Sequence, residues 1–129
     1  MNDEKAGRGA AMTKDWAANP LPTMLWWVAP IVFAVAVSSL AGRFGVAAWS
    51  LALAWMAAGC LLNAARCHRR HCYLSGPVLL AGAVVFGLEA LGVFSLGSTG
   101  NIALLWCAFG LVLLSWIPER IWGKYVRRT

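Results

Sequence analysis

The sequence predicts an all-α membrane protein with four transmembrane helices in an antiparallel bundle and both chain termini in the cytoplasm. Three observations predict this fold class. Of the 129 residues, 60% are hydrophobic and only 12% are charged, whereas soluble domains carry about 25% charged residues. The apolar residues form four long runs, and the connections between these runs are short.

Each apolar run covers about 17 to 20 residues, the length that crosses roughly 30 Å of hydrocarbon as a helix. The runs occupy residues 24–41, 46–64, 77–96 and 101–117, and Glu89 is the only charged residue inside them. Because the runs lack the alternation of a barrel strand, we expect helices. Short connections make consecutive helices antiparallel.

The remaining residues flank this transmembrane domain. Residues 1–23 are polar and are predicted to form a mobile N-terminal segment, residues 24–118 form the transmembrane domain, and residues 119–129 form a basic juxtamembrane tail. Such a tail is expected to lie on anionic lipid headgroups.

Local signals predict where the helices bend and begin. Pro30 should kink or weaken the first helix, because proline lacks the N–H that an inner turn uses. The triplet Ser75-Gly76-Pro77 predicts the start of the third helix, and Asn101 is a suitable N-cap for the fourth.

The distribution of Lys and Arg predicts the orientation. Ten of the eleven lie in the N-terminal segment, in the connection after residue 64 or in the tail, and only Arg43 lies on the other side. The positive-inside rule then places both termini and that connection in the cytoplasm. We therefore expect a multi-pass protein of a cell inner membrane. The net charge of +6 reflects this topology and does not indicate a nucleic-acid partner.

The connection between the second and third runs holds the most informative cluster. Four residues with metal-binding side chains lie at i, i+1, i+4 and i+5: Cys67, His68, His71 and Cys72. On a continuous helix they share one face within an arc of roughly 140°, and Arg66, Arg69 and Arg70 lie on the other side. Cys60 lies close to the same line and is a further candidate ligand.

Thiolates and imidazoles select soft or borderline ions such as Hg(II), Cu(I) and Zn(II). The reducing cytoplasm disfavours a structural disulfide, and nearby arginines favour the thiolate form. Four ligands on one regular helix do not surround an ion tetrahedrally. Either the helix ends near Cys67 and the chain folds back, or two thiolates bind an ion linearly. The alternative is a basic surface loop whose cysteines only pack.

Glu89 is the second candidate, because a carboxyl group inside an apolar run is costly and indicates proton or cation handling. Cys107 lies at a similar depth in the fourth run, so the two side chains are expected to line one polar point. The alternative is a protonated acid bonded to a backbone carbonyl or to another subunit. No nucleophile–base pair or cofactor motif is recognisable, so we do not expect an enzyme.

The run Asn63-Ala-Ala-Arg-Cys…His71-Cys-Tyr…Gly76-Pro resembles a signature of small prokaryotic membrane proteins. The general design is also similar to bacterial mercuric-ion transporters, which pass a soft ion between thiols and present a cysteine pair at the cytoplasmic side. The resemblance implies that Cys67 and Cys72 are that pair. Those transporters also carry a pair in the first helix, where this chain has none, so Cys60 and Cys107 would have to replace it.

From these patterns we expect a membrane protein that binds or transports a soft metal ion, with mercuric ion favoured through the resemblance. The alternative function is that of an accessory subunit of a larger membrane complex, in which Glu89 and a stripe of small residues on the third run (Ala83, Gly87 and Ala90) are contact features. The expected partners are the lipid bilayer and either further copies of this chain or such a complex.

Overall fold

The computed structural model describes residues 2–40 and 42–126, and the described residues form helices joined by short connections, with no strand. This confirms the predicted all-α class. The helices are α1 (Asn2–Lys14), α2 (Pro20–Ser38), α3 (Gly42–Cys67), α4 (Arg70–Ala90), α5 (Gly97–Leu114) and α6 (Ile117–Trp122). A 3₁₀ turn at Trp16–Ala18 lies between α1 and α2.

Four helical segments are long and apolar enough to cross a membrane, as predicted: Pro20–Ser38, Arg43–Cys67, Arg70–Ala90 and Gly97–Trp122. Their boundaries differ from the predicted runs, since the helices extend into polar sequence at several ends. The third segment begins at Arg70, well before residue 77. The residues expected in a cytoplasmic connection therefore belong largely to α3 and α4.

Two helix starts were predicted wrongly, because partners distant in sequence decide them. Pro77 lies inside α4, which begins at Arg70 after the extended residue Arg69. The carboxylate of Glu119 accepts a hydrogen bond from the backbone N–H of His71 at 3.3 Å, so it caps the first turn of α4. Asn101 lies inside α5 and donates to Glu89 instead of capping.

The effect of Pro30 appears as a wide turn within α2. Residues Met24–Val28 are π-helical, and the N–H of Ala29 bonds to the carbonyl of Met24. A proline clashes with the carbonyl four residues before it, and a π turn at that place moves the carbonyl aside. The helix therefore continues through the proline to Ser38.

The packed centre of the molecule is the contact between α3 and α4. Its buried residues are Leu53, Met56, Ala57, Cys60, Ala64, Cys72, Leu79, Ala83 and Phe86. Ser50 on α3 donates a hydrogen bond of 2.8 Å to the carbonyl of Ala83 on α4, and a Cβ at position 87 would lie 3.1 Å from the Ser50 hydroxyl. Small residues thus let the two backbones approach closely.

The N-terminal segment, predicted to be mobile, contains α1 and then Asp15, which is fully buried. Two backbone hydrogen bonds join the predicted tail to the connection between α3 and α4. The N–H of Arg70 donates to the carbonyl of Lys124, and the N–H of Val126 donates to the carbonyl of His68. The residues after α6 therefore meet the place where α3 ends and α4 begins.

Candidate thiol site

The connection between α3 and α4 is a sharp reversal at His68 and Arg69. Helix α3 ends at Cys67, His68 has a positive φ of 54°, and Arg69 is extended. The left-handed conformation of a non-glycine residue breaks the helix. Of the two arrangements expected for the cluster, the structure has the one in which the helix ends near Cys67. The expected single face with three arginines opposite is not formed, because Arg69 turns inward.

Arg69 is 6% exposed and lies between two carboxylates from distant parts of the chain. Its Nη1 is 2.7 Å from Oδ2 of Asp15, and its Nε is 3.1 Å from Oε1 of Glu119. Burial favours the neutral guanidine, but the hydrogen bonds to Glu119 and the charge of Asp15 outweigh burial and raise the pKa of Arg69 above its ordinary value. One cation thus joins the N-terminal segment, the α3–α4 reversal and α6.

Asp15 also fixes the N-terminal segment to α3. Its Oδ1 accepts a bond of 2.9 Å from Asn63, whose own Oδ1 accepts from the backbone N–H of Trp16 at 2.9 Å. The Tyr125 hydroxyl donates to Oδ2 of Asp15 at 3.3 Å. Burial and the negative charge of Asp15 raise the pKa of Tyr125 to about 12. Asp15 therefore joins the residues just before α2 and those after α6 at the site.

His71 lies between Glu119 and Cys72. Its Nδ1 is 2.6 Å from Oε1 of Glu119, and its Nε2 is 3.4 Å from Sγ of Cys72. Because a carboxylate only accepts, Nδ1 carries a proton and donates it, and in the neutral ring Nε2 is then the acceptor for the Cys72 thiol. Trp116 stacks on the imidazole with ring centres 4.7 Å apart and excludes water from this side.

Cys72 and Cys60 form a buried pair of thiols at the α3–α4 interface. Cys72 is 0% exposed and Cys60 is 2% exposed, and both belong to the buried cluster between α3 and α4. The indole N–H of Trp27 donates to Sγ of Cys60 at 3.3 Å, and the side-chain amide of Asn63 donates to Sγ of Cys72 at 3.5 Å. Each sulfur therefore accepts a hydrogen bond from a side chain of the same buried region.

The structure brings three of the five predicted metal ligands together and separates the other two. Cys60, His71 and Cys72 are neighbours, whereas Cys67 donates to the carbonyl of Asn63 at 3.0 Å and His68 contacts the hydroxyl of Tyr73 at 2.9 Å. In the described part of the chain, no group of three or more His, Cys, Asp or Glu side chains is arranged to hold a metal ion. Among these described residues, a metal site would therefore have at most two such side chains as ligands.

Glu89 and Cys107 do not meet at the expected polar point. Glu89 is the second-last residue of α4, and its Oε1 accepts from the backbone N–H of Leu96 at 3.1 Å and from Asn101 at 3.3 Å. Cys107 is exposed on α5, and within residues 2–40 and 42–126 no hydrogen bond joins it to Glu89. Since α4 ends at Ala90, Glu89 lies at a helix end and not deep in a span.

Sequence reasoning missed the two carboxylates that organise the site, Asp15 and Glu119. The chain contains only five acidic residues; Glu119 lies two residues after the fourth apolar run and Asp15 lies nine residues before the first, both at the end that carries most of the arginines. Scarce acids beside a cationic cluster in a membrane protein are candidates for buried ion pairs, so this placement was the available signal.

Comparison with protein-family models, with curated proteins and with solved structures found no match to this chain. The resemblance to mercuric-ion transporters therefore rests on the residues quoted for it.

Proposed function

We propose that this protein is a multi-pass inner-membrane protein that binds a soft metal ion between the thiolates of Cys60 and Cys72. One observation carries the proposal: two buried cysteines from consecutive apolar helices belong to the same packed cluster, and an imidazole adjoins one of them. The helices would form an antiparallel bundle with both termini in the cytoplasm, as the distribution of Lys and Arg predicts.

Two sulfur ligands suit ions that accept linear coordination, as Hg(II) and Cu(I) do. Thiolates select soft ions over magnesium or calcium, and a two-ligand site does not satisfy zinc, which takes four. His71 is placed to assist on the Cys72 side. Mercuric ion is favoured over Cu(I) because of the resemblance to the mercuric-ion transporters.

The positive charge of Arg69 does not oppose a cation at the thiols. Arg69 is engaged by Asp15 and Glu119, so these three side chains sum to one negative charge. A cation entering beside His71 therefore meets an arginine that is already neutralised. For Arg69, this replaces the expectation that free arginines surround the site.

Cys67 supplies a second position for a transported ion. It lies two helical turns beyond Cys60 on α3, about 10 Å along the axis, at the end where the chain reverses. An ion bound by Cys60 and Cys72 would reach Cys67 next on its way to the predicted cytoplasmic side. Transport in this direction matches the mercuric-ion transporters that the segment resembles.

Binding is tested with the purified, reduced protein and one equivalent of Hg(II) in the presence of a competing monothiol. A variant that retains only the proposed pair, Cys67→Ser/Cys107→Ser, should bind one ion per chain. The converse variant, Cys60→Ser/Cys72→Ser, keeps the same number of thiols and should bind none. Circular dichroism checks that both variants remain helical.

Equal binding by the two double variants would refute the pair and favour the accessory-subunit function. Repeating the titration with Cu(I) distinguishes the two soft ions, since both fit the geometry.

A further inference from the structure

A cavity of about 450 Å³ lies at the opposite end of α3 from the thiol site. The first turn of α3, the end of α4 and the connection that follows α4 form its walls. The lining residues are Arg43, Val46, Glu89, Ala90, Gly92, Phe94 and Ser95. A cavity of this size is in the range that holds small ligands.

One wall of the cavity carries a buried acceptor that lacks a donor. Oε1 of Glu89 accepts two hydrogen bonds, but Oε2 is buried and has no hydrogen-bond partner among the described residues. Oδ1 of Asn101, whose amide donates to Glu89, is buried and unpartnered in the same way. Since buried polar atoms in folded proteins almost always have partners, the carboxylate of Glu89 calls for a donor that the described residues do not supply.

The other wall carries a cation. Arg43 is the one Lys or Arg residue that the sequence places at this end of the spans, and its Nε donates to the carbonyl of Ala90 at 3.3 Å. Among the described residues no ion pair joins Arg43 to Glu89. The cavity is therefore lined by a guanidinium and a carboxylate that form no ion pair with each other.

A ligand that satisfies both walls has an anionic group for Arg43 and an N–H donor with positive charge for Glu89. The cavity lies where the span that begins at Arg43 and the span that ends at Ala90 leave the apolar region, which is the level of lipid headgroups. We propose that this cavity binds a phosphoethanolamine group, with its phosphate at Arg43 and its primary ammonium at Glu89.

The proposal distinguishes ethanolamine from choline. A quaternary ammonium has the same charge but no N–H, so it leaves Oε2 of Glu89 without a donor. A charged hydrogen bond at a buried acceptor corresponds to a preference of roughly tenfold or more. Phosphatidylglycerol has the phosphate and lacks the ammonium, so it should also bind more weakly.

The test uses the full-length protein in detergent and native mass spectrometry, with phosphatidylethanolamine, phosphatidylcholine and phosphatidylglycerol of identical acyl chains. The wild-type protein should retain phosphatidylethanolamine about tenfold better than the other two. Equal retention of the ethanolamine and choline lipids, or stronger retention of the glycerol lipid, would overturn the proposal. This comparison requires no variant and so does not depend on whether a variant folds.

Variants then assign the two walls. Glu89→Gln should remove the preference for ethanolamine over choline, and Arg43→Gln should weaken retention of all three lipids. Arg120→Gln changes an exposed cation at the other end of the molecule and should leave the preference unchanged. A preference that survives Glu89→Gln would overturn the assignment.

Free phosphoethanolamine, added at the concentration of the lipid, identifies the source of the group. If free phosphoethanolamine displaces the lipid, the cavity binds the soluble group. If the lipid stays bound, the cavity binds the same group as part of a membrane lipid.

Discussion

Glu119 joins α6 to the first turn of α4 through one carboxylate oxygen, which contacts His71 twice. Oε1 lies 2.6 Å from Nδ1 of His71 and 3.3 Å from the backbone nitrogen of the same residue. The same carboxylate bonds to Arg69. This contact fixes where α4 begins and which nitrogen of His71 faces Cys72.

Replacing Glu119 should therefore destabilise the protein strongly. In Glu119→Ala, Arg69 keeps only Asp15, and the first turn of α4 loses its cap. Removing one partner of a buried ion pair costs about 3–5 kcal/mol. Thermal unfolding in detergent should show this loss, whereas Asp3→Asn, at an exposed acid, should change the midpoint little. Comparable midpoints for the two variants would show that Glu119 is not a structural partner.

Replacing Arg69 with lysine should destabilise the protein. A lysine keeps the charge but has no planar fork, so it cannot bond to Asp15 and Glu119 in the observed geometry. We expect Arg69→Lys to unfold at a lower temperature than the wild-type protein, and Arg69→Met to be less stable still because two buried carboxylates lose their partner. Arg66→Lys, at an exposed position, is the matched control. A lysine variant as stable as the control would contradict the role assigned to the fork.

Asp15 should control access to the N-terminal segment. Asp15→Asn removes the negative charge that Arg69 and Tyr125 contact, so the segment should detach from α3 more often. Trypsin should then cleave after Lys14, which is exposed, faster than in the wild-type protein. Asp3→Asn serves again as the control. Unchanged cleavage in the Asp15 variant would mean that the segment is held by other contacts.

Tyr125 predicts a specific alkaline dependence of stability. Its pKa is raised from an ordinary value of 10 to about 12, so the folded state holds the phenolic proton more tightly than the unfolded state. The resulting stabilisation is complete below pH 10 and is lost as the pH rises toward 12. The difference in unfolding midpoint between the wild-type protein and Tyr125→Phe should shrink across this window. A difference that stays constant from pH 9 to 12 would contradict the contact with Asp15.

The four apolar helices could be predicted from the sequence, because hydropathy and length alone determine which segments can span a bilayer. The residue at which α4 begins could not be predicted from the sequence. The local signal at Ser75-Gly76-Pro77 was overruled by a cap from Glu119, 48 residues away from His71. A single sequence gives no sign of which distant carboxylate will reach a helix end.

The candidate site was partly predictable for a related reason. Residues 60 and 72 come together because the chain reverses at His68 and Arg69, so positions on either side of that point face each other, as Asn63 and Cys72 also do. A positive φ at histidine is uncommon and could not be expected from the sequence. Cys67, which the resemblance implied as the partner of Cys72, instead donates to the carbonyl of Asn63.

The orientation of the protein remains a prediction of the positive-inside rule. Because Cys67 and Cys72 are buried, introduced cysteines at exposed positions are better reporters. Ser98→Cys should react with an impermeant thiol reagent in intact cells, and Lys124→Cys should react only after the membrane is opened. The reverse pattern would place the thiol site on the outer side.

The most direct measurement of the central claim is X-ray absorption at the mercury edge of the Cys67→Ser/Cys107→Ser variant loaded with one equivalent of Hg(II). The account predicts two sulfur ligands per ion in a monomeric chain, supplied by Cys60 and Cys72. A single sulfur ligand per ion, or two sulfurs that appear only when two chains associate, would contradict it.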